Sequence, residues 1–195
     1  MADDITSFFL ETSRLKLMLR SGWIFSGVPI GNVESVADHS YMISLITLIQ
    51  CLEERREGKE IDLEKALSMA LLHDISEGIS QDLDRRIRQF APEKFDSFKH
   101  DLDINATKKL LEKLPVETSA TLLENYLEFQ KKESLEARIV AEADRVEVII
   151  QLYNYIKQGT PKDNFLLFFE NLSKEVNNFE FKLIRKIALE LLKEG

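Results

Sequence analysis

The 195-residue chain holds 7 glycines and 4 prolines, under half their usual share, which argues against an all-β or low-complexity protein. Its 26 Lys+Arg against 34 Asp+Glu give a net charge of −8, the wrong sign for life on a nucleic-acid duplex or an anionic membrane, so any anionic ligand needs a local positive device. A chain of this length buries about 70% of its unfolded surface, enough for one sizeable core, and a single domain over residues 1–195 is expected.

Hydrophobic period and punctuation predict helices almost throughout. A first helix is expected over about 4–19, carrying Phe8, Leu15 and Leu19, with Arg20 at its end. A loop follows that contains three of the seven glycines, at 22, 27 and 31. The second helix, about 35–56, places Met42, Ile43, Ile46 and Ile49 on one side. Asp62 reads as the N-cap of a third, with Leu63, Ala66, Leu67, Ala70 and Leu71 as its apolar stripe up to His73; Gly78 then closes or kinks it. After a short connection and the basic turn Arg85-Arg86-Ile-Arg88, Pro92 and Pro115 fit the first turns of helices over about 92–113 and 116–131. Ser134 caps a helix over 135–158 that Gly159 ends, Thr160-Pro161 starts another, and the last covers about 179–193. Phe165, Phe168, Phe169, Phe179 and Phe181 fall in these final elements, where they either close the core or build a subunit interface.

The longest apolar run, Phe165 to Phe169, is far too short to span a bilayer, and the acidic start Met1-Ala-Asp-Asp lacks a signal peptide's basic region. An intracellular, cytoplasmic protein is expected. Cys51 is alone, which excludes an internal disulfide and a cysteine-based zinc cluster, and it reads as a small buried hydrophobe.

Three histidines occur, His39, His73 and His100. His73 directly precedes Asp74 at the end of an apolar helix; the two side chains point about 100° apart, yet both reach one ion lying off the helix end. His39 precedes an apolar helix face that would cross the third helix. Asp144, in Ala141-Glu-Ala-Asp-Arg, lies beside the apolar positions Val140, Ala143 and Val146, and a carboxylate there wants a cation. Two imidazoles and two carboxylates suit Mn, Co, Ni, Zn or Fe better than Ca or Mg.

The segments Glu34-Ser-Val-Ala-Asp-His39, Leu71-Leu-His73-Asp74-Ile-Ser-Glu77, Asp82-Leu and Glu142-Ala-Asp144-Arg, in that order, resemble the HD-domain superfamily of metal-dependent phosphohydrolases. The likeness is to the 5′-deoxynucleotidase branch. It covers about residues 10–155, including Arg20-Ser-Gly-Trp23. It implies an all-α helical bundle, a divalent transition metal, hydrolysis of (deoxy)nucleoside 5′-monophosphates and a homodimer. It makes His39, His73, Asp74 and Asp144 the metal ligands and gives Arg20 to the phosphate. Glu77, one helical turn after His73, is expected to be the general acid or base, and Asp82 to orient the water or the leaving 5′-oxygen. Trp23, Asp74, Asp82 and Arg85 are candidate substrate contacts, although Trp23 also reads as a core plug and Arg20 as a helix-end charge. Gln81 stands where the family pattern has a glycine before Asp-Leu. Two alternatives stay open: another nucleotide as substrate (a triphosphate, cyclic dinucleotide or alarmone), or a non-catalytic scaffold around a structural metal.

Overall fold

The structure, a computed structural model of the chain, describes residues 2–194; the side chains of residues 2, 3, 85 and 194 lie outside the description. Its α-helices are α1 (Ala2–Thr12), α2 (Ser21–Phe25), α3 (Val36–Arg56), α4 (Leu63–Leu72), α5 (Glu77–Ser80), α6 (Pro92–Leu111), α7 (Val116–Lys131), α8 (Leu135–Lys157), α9 (Leu166–Val176) and α10 (Lys182–Glu194). The all-α expectation holds: among the described residues the extended pairing is a single bridge between Leu19 and Ser35. No described helix is long and apolar enough to cross a membrane.

The first helix is shorter than its periodicity suggests. The Thr12 hydroxyl donates back to the Phe8 carbonyl at 2.9 Å and Ser13 to Leu10 at 2.7 Å. These bonds satisfy carbonyls that a longer helix would have used, and a 3₁₀ turn, Ser13–Lys16, takes over. Arg20 is therefore not a helix-end charge. It sits in extended backbone, where its N–H donates to the Glu34 carbonyl and Val36 N–H donates to Met18. This antiparallel contact carries Arg20 to the start of α3.

α3 begins at a capping box in which the Ser35 hydroxyl accepts from Asp38 N–H and the Asp38 carboxylate accepts from Ser35 N–H. Asp62 and Ser134 cap α4 and α8 as expected. α3, α4 and α8 pack against one another around Ile43, Met69, Ala70, Val140, Ala143 and Val146, all at 0% exposure. Two expected stripes are shifted. Ile49 is exposed, and the inward face of α3 instead carries His39, Thr47, Gln50 and Glu54. On α4, Leu71 is exposed while Met69 and Leu72 face inward. Several of these polar groups find partners: His39 meets Glu147 of α8, Gln50 donates to Glu54 one turn on and accepts from Ile184 N–H of α10, and Glu54 pairs with Lys59.

Phe165, Phe179 and Phe181 are buried, so they close the core, with Phe168 and Phe169 partly buried against it. Glu142 accepts from Glu180 and Phe181 N–H, docking the turn before α10 onto α8. Gly78 does not end α4, which stops at Leu72. It lies inside α5, where an added Cβ would stand 3.2 Å from the Glu11 carbonyl, so glycine permits the close approach of α1. A second, smaller apolar cluster, including Phe8, Leu15, Leu110, Leu111 and Tyr126, joins the N-terminal segment to α6 and α7.

Candidate metal centre and substrate cavity

His39 extends from the second turn of α3, His73 caps the C-terminus of α4, Asp74 follows it, and Asp144 stands midway along α8. The packing of these three helices brings the four side chains together. His39 Nε2 lies 3.3 Å from Asp144 Oδ1 and 3.9 Å from Asp74 Oδ2, and His73 Nε2 lies 3.1 Å from the same Asp74 oxygen. His39 is fully buried and His73 nearly so, while the two aspartates remain about a quarter exposed.

Each imidazole is oriented from behind. His39 Nδ1 meets Glu147 Oε2 at 2.5 Å, and His73 Nδ1 meets the Ala70 carbonyl at 2.8 Å. A carbonyl only accepts, so Nδ1 of His73 carries the proton and its Nε2 presents a lone pair in the neutral ring. Both Nε2 atoms are buried and neither makes a hydrogen bond. Two orphaned imidazole nitrogens facing two carboxylates at 3.1–3.9 Å form a nest of acceptors, which is what a divalent cation requires. The donor set therefore fits the implied metal.

The electrostatics agree. Burial alone would raise the Asp74 and Asp144 carboxyls, but His73, His39 and Arg20 around the first, and His39 and Arg145 around the second, hold both below the usual carboxylate range. For His39, burial and Arg20 oppose a charge, yet Asp144 and Glu147 outweigh them and lift the imidazole to about 9 in the absence of a cation. The carboxylates around His39 thus favour a positive charge in this pocket.

A second acidic group shares His39. Glu34, His39 and Glu147 offer ligand atoms within 4.8 Å of one another. Here the atoms are already engaged: Glu34 accepts from Trp23 Nε1 at 2.7 Å and pairs with Arg20, and Glu147 holds Nδ1. This group backs the centre from behind. Burial and the neighbouring Glu147 push the Glu34 carboxyl up to about 7.

The centre forms one end of a cavity of about 440 Å³, in the size range of small-ligand sites. Arg20, Trp23, Asp74, Glu77, Asp82 and Asp144 all line it. Arg20 is held between Glu34 (3.4 Å) and Asp74 (3.8 Å), its guanidinium at the metal end. Glu77 begins α5 and is buried. That burial, reinforced by Asp74 and Asp82, raises its carboxyl well above the usual value. Asp82 accepts from Ser21 N–H at 2.5 Å, tying its loop to the segment that carries Arg20. Gln81 takes φ 68° and ψ 160°, backbone that glycine adopts freely, so the chain keeps the path that a glycine would give it.

Trp23 stands differently from a stacking platform. It is 1% exposed, stacks on Phe168 at 4.8 Å between centroids and donates to Glu34, so it supports the cavity wall as a core residue. The side chain of Arg85 lies outside the described residues. Its neighbour Arg86 reaches the cavity, paired with Asp84 and lying 4.5 Å over the Phe25 ring, whereas Arg88 pairs with Asp96 on the exposed surface. His100 is exposed and Cys51 is buried.

Motif reading missed Glu147, Glu34 and Lys99. Glu147 is about one helical turn after Asp144, among the buried apolar positions Val146, Val148 and Ile149; that spacing is the signal that finds it. Lys99 comes from α6, distant in the chain, and no local pattern announces it.

An HD-domain family profile matches residues 12–184. The chain is 29% identical over 188 residues to 5′-deoxynucleotidase HDDC2 of Dictyostelium discoideum, covering 94% of both proteins. It is 27% identical over 184 residues to 5′-deoxynucleotidase YGK1 of Saccharomyces cerevisiae, covering 92% of this chain and 78% of the relative. Among solved structures, a conserved hypothetical protein from Pyrococcus furiosus superposes with a TM-score of 0.75 at 33% identity, over 96% of this chain and 99% of the other. A predicted metal-dependent phosphohydrolase from Magnetospirillum magnetotacticum shares the fold at a TM-score of 0.71 and 21% identity, over 99% and 94%. With the profile spanning nearly the whole chain and the histidine–aspartate constellation assembled at the junction of α3, α4 and α8, the protein belongs to the HD-domain family.

Proposed function

We propose that the protein is a metal-dependent 5′-deoxynucleotidase, a hydrolase that converts (deoxy)nucleoside 5′-monophosphates and water into nucleoside and phosphate. The observation that carries this reading is the pair of buried, unpartnered Nε2 atoms facing Asp74 and Asp144 at the end of a cavity that Arg20 also lines. The similarity to 5′-deoxynucleotidases over most of the chain supports the same substrate class.

His39, His73, Asp74 and Asp144 would hold the ion, and their mixed nitrogen and oxygen donors favour Mn, Co, Ni, Zn or Fe over Mg. When bound, such an ion neutralises a phosphoryl oxygen and lowers the pKa of water by several units. The chain's own residues supply the rest. Arg20, with Glu34 fixing its Nε edge, offers its guanidinium to the phosphate and is the main positive device in a protein of net charge −8. Glu77, whose carboxyl burial pushes well above its usual value, is placed to give a proton to the leaving 5′-oxygen as water adds to phosphorus and the P–O bond breaks. Asp82, anchored on Ser21, keeps the loop at the position from which it orients water or the leaving oxygen. Trp23 acts from beneath the wall, through Glu34, and Arg86 is the described arginine of the 85–88 turn that faces the nucleoside end.

The assembly we propose is a homodimer. Tyr41, Leu45, Ile49 and Leu52 leave an exposed apolar stripe along α3, and the 11041 Å² surface exceeds the ~9,500 Å² expected of a compact chain of this mass. The cytoplasm is the proposed location, where the buried thiol of Cys51 needs no partner.

Protein stripped with a chelator is expected to release no phosphate and to regain release from 2′-deoxynucleoside 5′-monophosphates on addition of Mn²⁺ or Co²⁺. Phosphate and nucleoside are the expected products. Pyrophosphate, tripolyphosphate or a linear nucleotide from other substrates would assign it to a different nucleotide, and silence with every metal would make it a scaffold.

A further inference from the structure

One charged cluster reaches the cavity from outside every motif discussed above. Lys99, on α6, lines the cavity with its side chain 19% exposed. Its Nζ donates to Asp103 Oδ2 at 2.8 Å, the i,i+4 partner on the same helix, and stands 3.6 Å from Glu77 Oε1. The other Asp103 oxygen, Oδ1, accepts from the Ser76 hydroxyl at 3.0 Å. Ser76 immediately precedes Glu77, so α6 grips two consecutive residues at the start of α5, one through Asp103 and one through Lys99.

The remaining Glu77 oxygen, Oε2, is buried and has no hydrogen-bond partner. Lys99 therefore sets the direction of the Glu77 carboxyl: Oε1 faces the ammonium, and Oε2 keeps its hydrogen-bonding capacity free in a residue that lines the cavity. Lys99 itself is already flanked by two carboxylates, which fits a point charge that holds a neighbour better than one kept free for phosphate.

We propose that Lys99 is a positioning residue for Glu77: braced by Asp103, it anchors Oε1 and so presents Oε2 to the leaving 5′-oxygen. This rests on the nucleotidase reading and on the proton-donor role of Glu77. Orientation of a reacting group matters steeply, since a displacement of about 1 Å costs roughly 10²-fold in rate.

The test compares two substrates that bind alike and differ in the need for a proton: a 2′-deoxynucleoside 5′-monophosphate, and its analogue in which sulfur replaces the bridging 5′-oxygen and leaves as a thiolate. Lys99→Met keeps the apolar stem, and Lys99→Arg keeps the charge. With Mn²⁺-loaded protein, Lys99→Met is expected to lower kcat on the oxygen ester by about 10- to 100-fold and on the sulfur ester by less than about 3-fold, with KM changing by less than about 2-fold. Lys99→Arg is expected to recover most of the loss. Metal content and melting temperature, measured on the same samples, should match wild type, which separates misplacement of Glu77 from misfolding. Equal losses on both esters, a rise confined to KM, or no loss at all would overturn the proposal while leaving the nucleotidase reading intact. Wild-type protein that releases no phosphate from any deoxynucleotide would remove that reading, and this proposal with it.

Discussion

At the floor of the cavity the reactive side chains project from the long helices α3, α4 and α8, whereas at its rim they come from five-residue α2, four-residue α5 and the 3₁₀ turn Arg85–Phe90. The floor imidazoles are braced from behind by buried acceptors: Glu147 reaches His39 across 108 positions, and the Ala70 carbonyl holds His73 from within α4. The rim contacts range from local to remote: Arg86 pairs with Asp84 two residues away in an exposed contact of small energetic weight, whereas Asp82 reaches Ser21 N–H across 61 positions and Lys99 of α6 approaches Glu77. The candidate metal donors thus project from long, closely packed helices, and the candidate substrate contacts come from short elements.

The contrast is broken most severely from behind the floor. Glu147→Gln keeps the shape but removes the carboxylate that orients and enriches His39; it is expected to weaken metal binding by about 10- to 100-fold, read by competition with a chromophoric chelator. An unchanged affinity would mean that the helices alone fix the ring.

A smaller effect separates proton from metal as the positive charge at the floor. In stripped protein the His39 pKa is raised from 6.5 to about 9 by its carboxylate partners, so the proton is bound more tightly in the folded state. The stability it contributes is full below pH 6.5 and is lost as pH rises through about 9. The melting temperature of stripped protein should therefore fall across that window. Mn²⁺-loaded protein, in which the ion takes the proton's place, should show a flatter profile, and parallel profiles would contradict the assignment.

At the rim the smallest change is expected, and it is a gain. Gln81 holds φ 68°, which costs a non-glycine residue about 1–3 kcal/mol, while glycine loses about 0.5–1 kcal/mol more backbone entropy on folding. Gln81→Gly should raise the melting temperature by a few degrees, with the metal content unchanged. A decrease would show that the glutamine side chain compensates through contacts of its own.

Caps and breakers are local, and the corresponding elements are legible: Ser35, Asp62 and Ser134 start their helices where hydroxyl or carboxylate chemistry says they should. The end of α1 and the face of α3 are not, because apolar period alone cannot see side-chain bonds to carbonyls or polar groups partnered from remote positions. The same distinction runs through the site. His39, His73, Asp74 and Asp144 are named by the family resemblance and lie together in the fold, while Trp23 turns inward because Glu34 and Phe168 claim it.

An acidic, glycine-poor, helical chain is information that residue chemistry and short-range periodicity carry by themselves; the order of its histidines and aspartates adds a family resemblance, which reaches as far as fold class and candidate metal donors. Which carboxylate braces which imidazole, which oxygen of Glu77 is left unpaired, and the arrival of Lys99 from α6 were decided only by tertiary packing. Those contacts join residues from 22 to 108 positions apart, and no local pattern encodes the angle at which two helices meet.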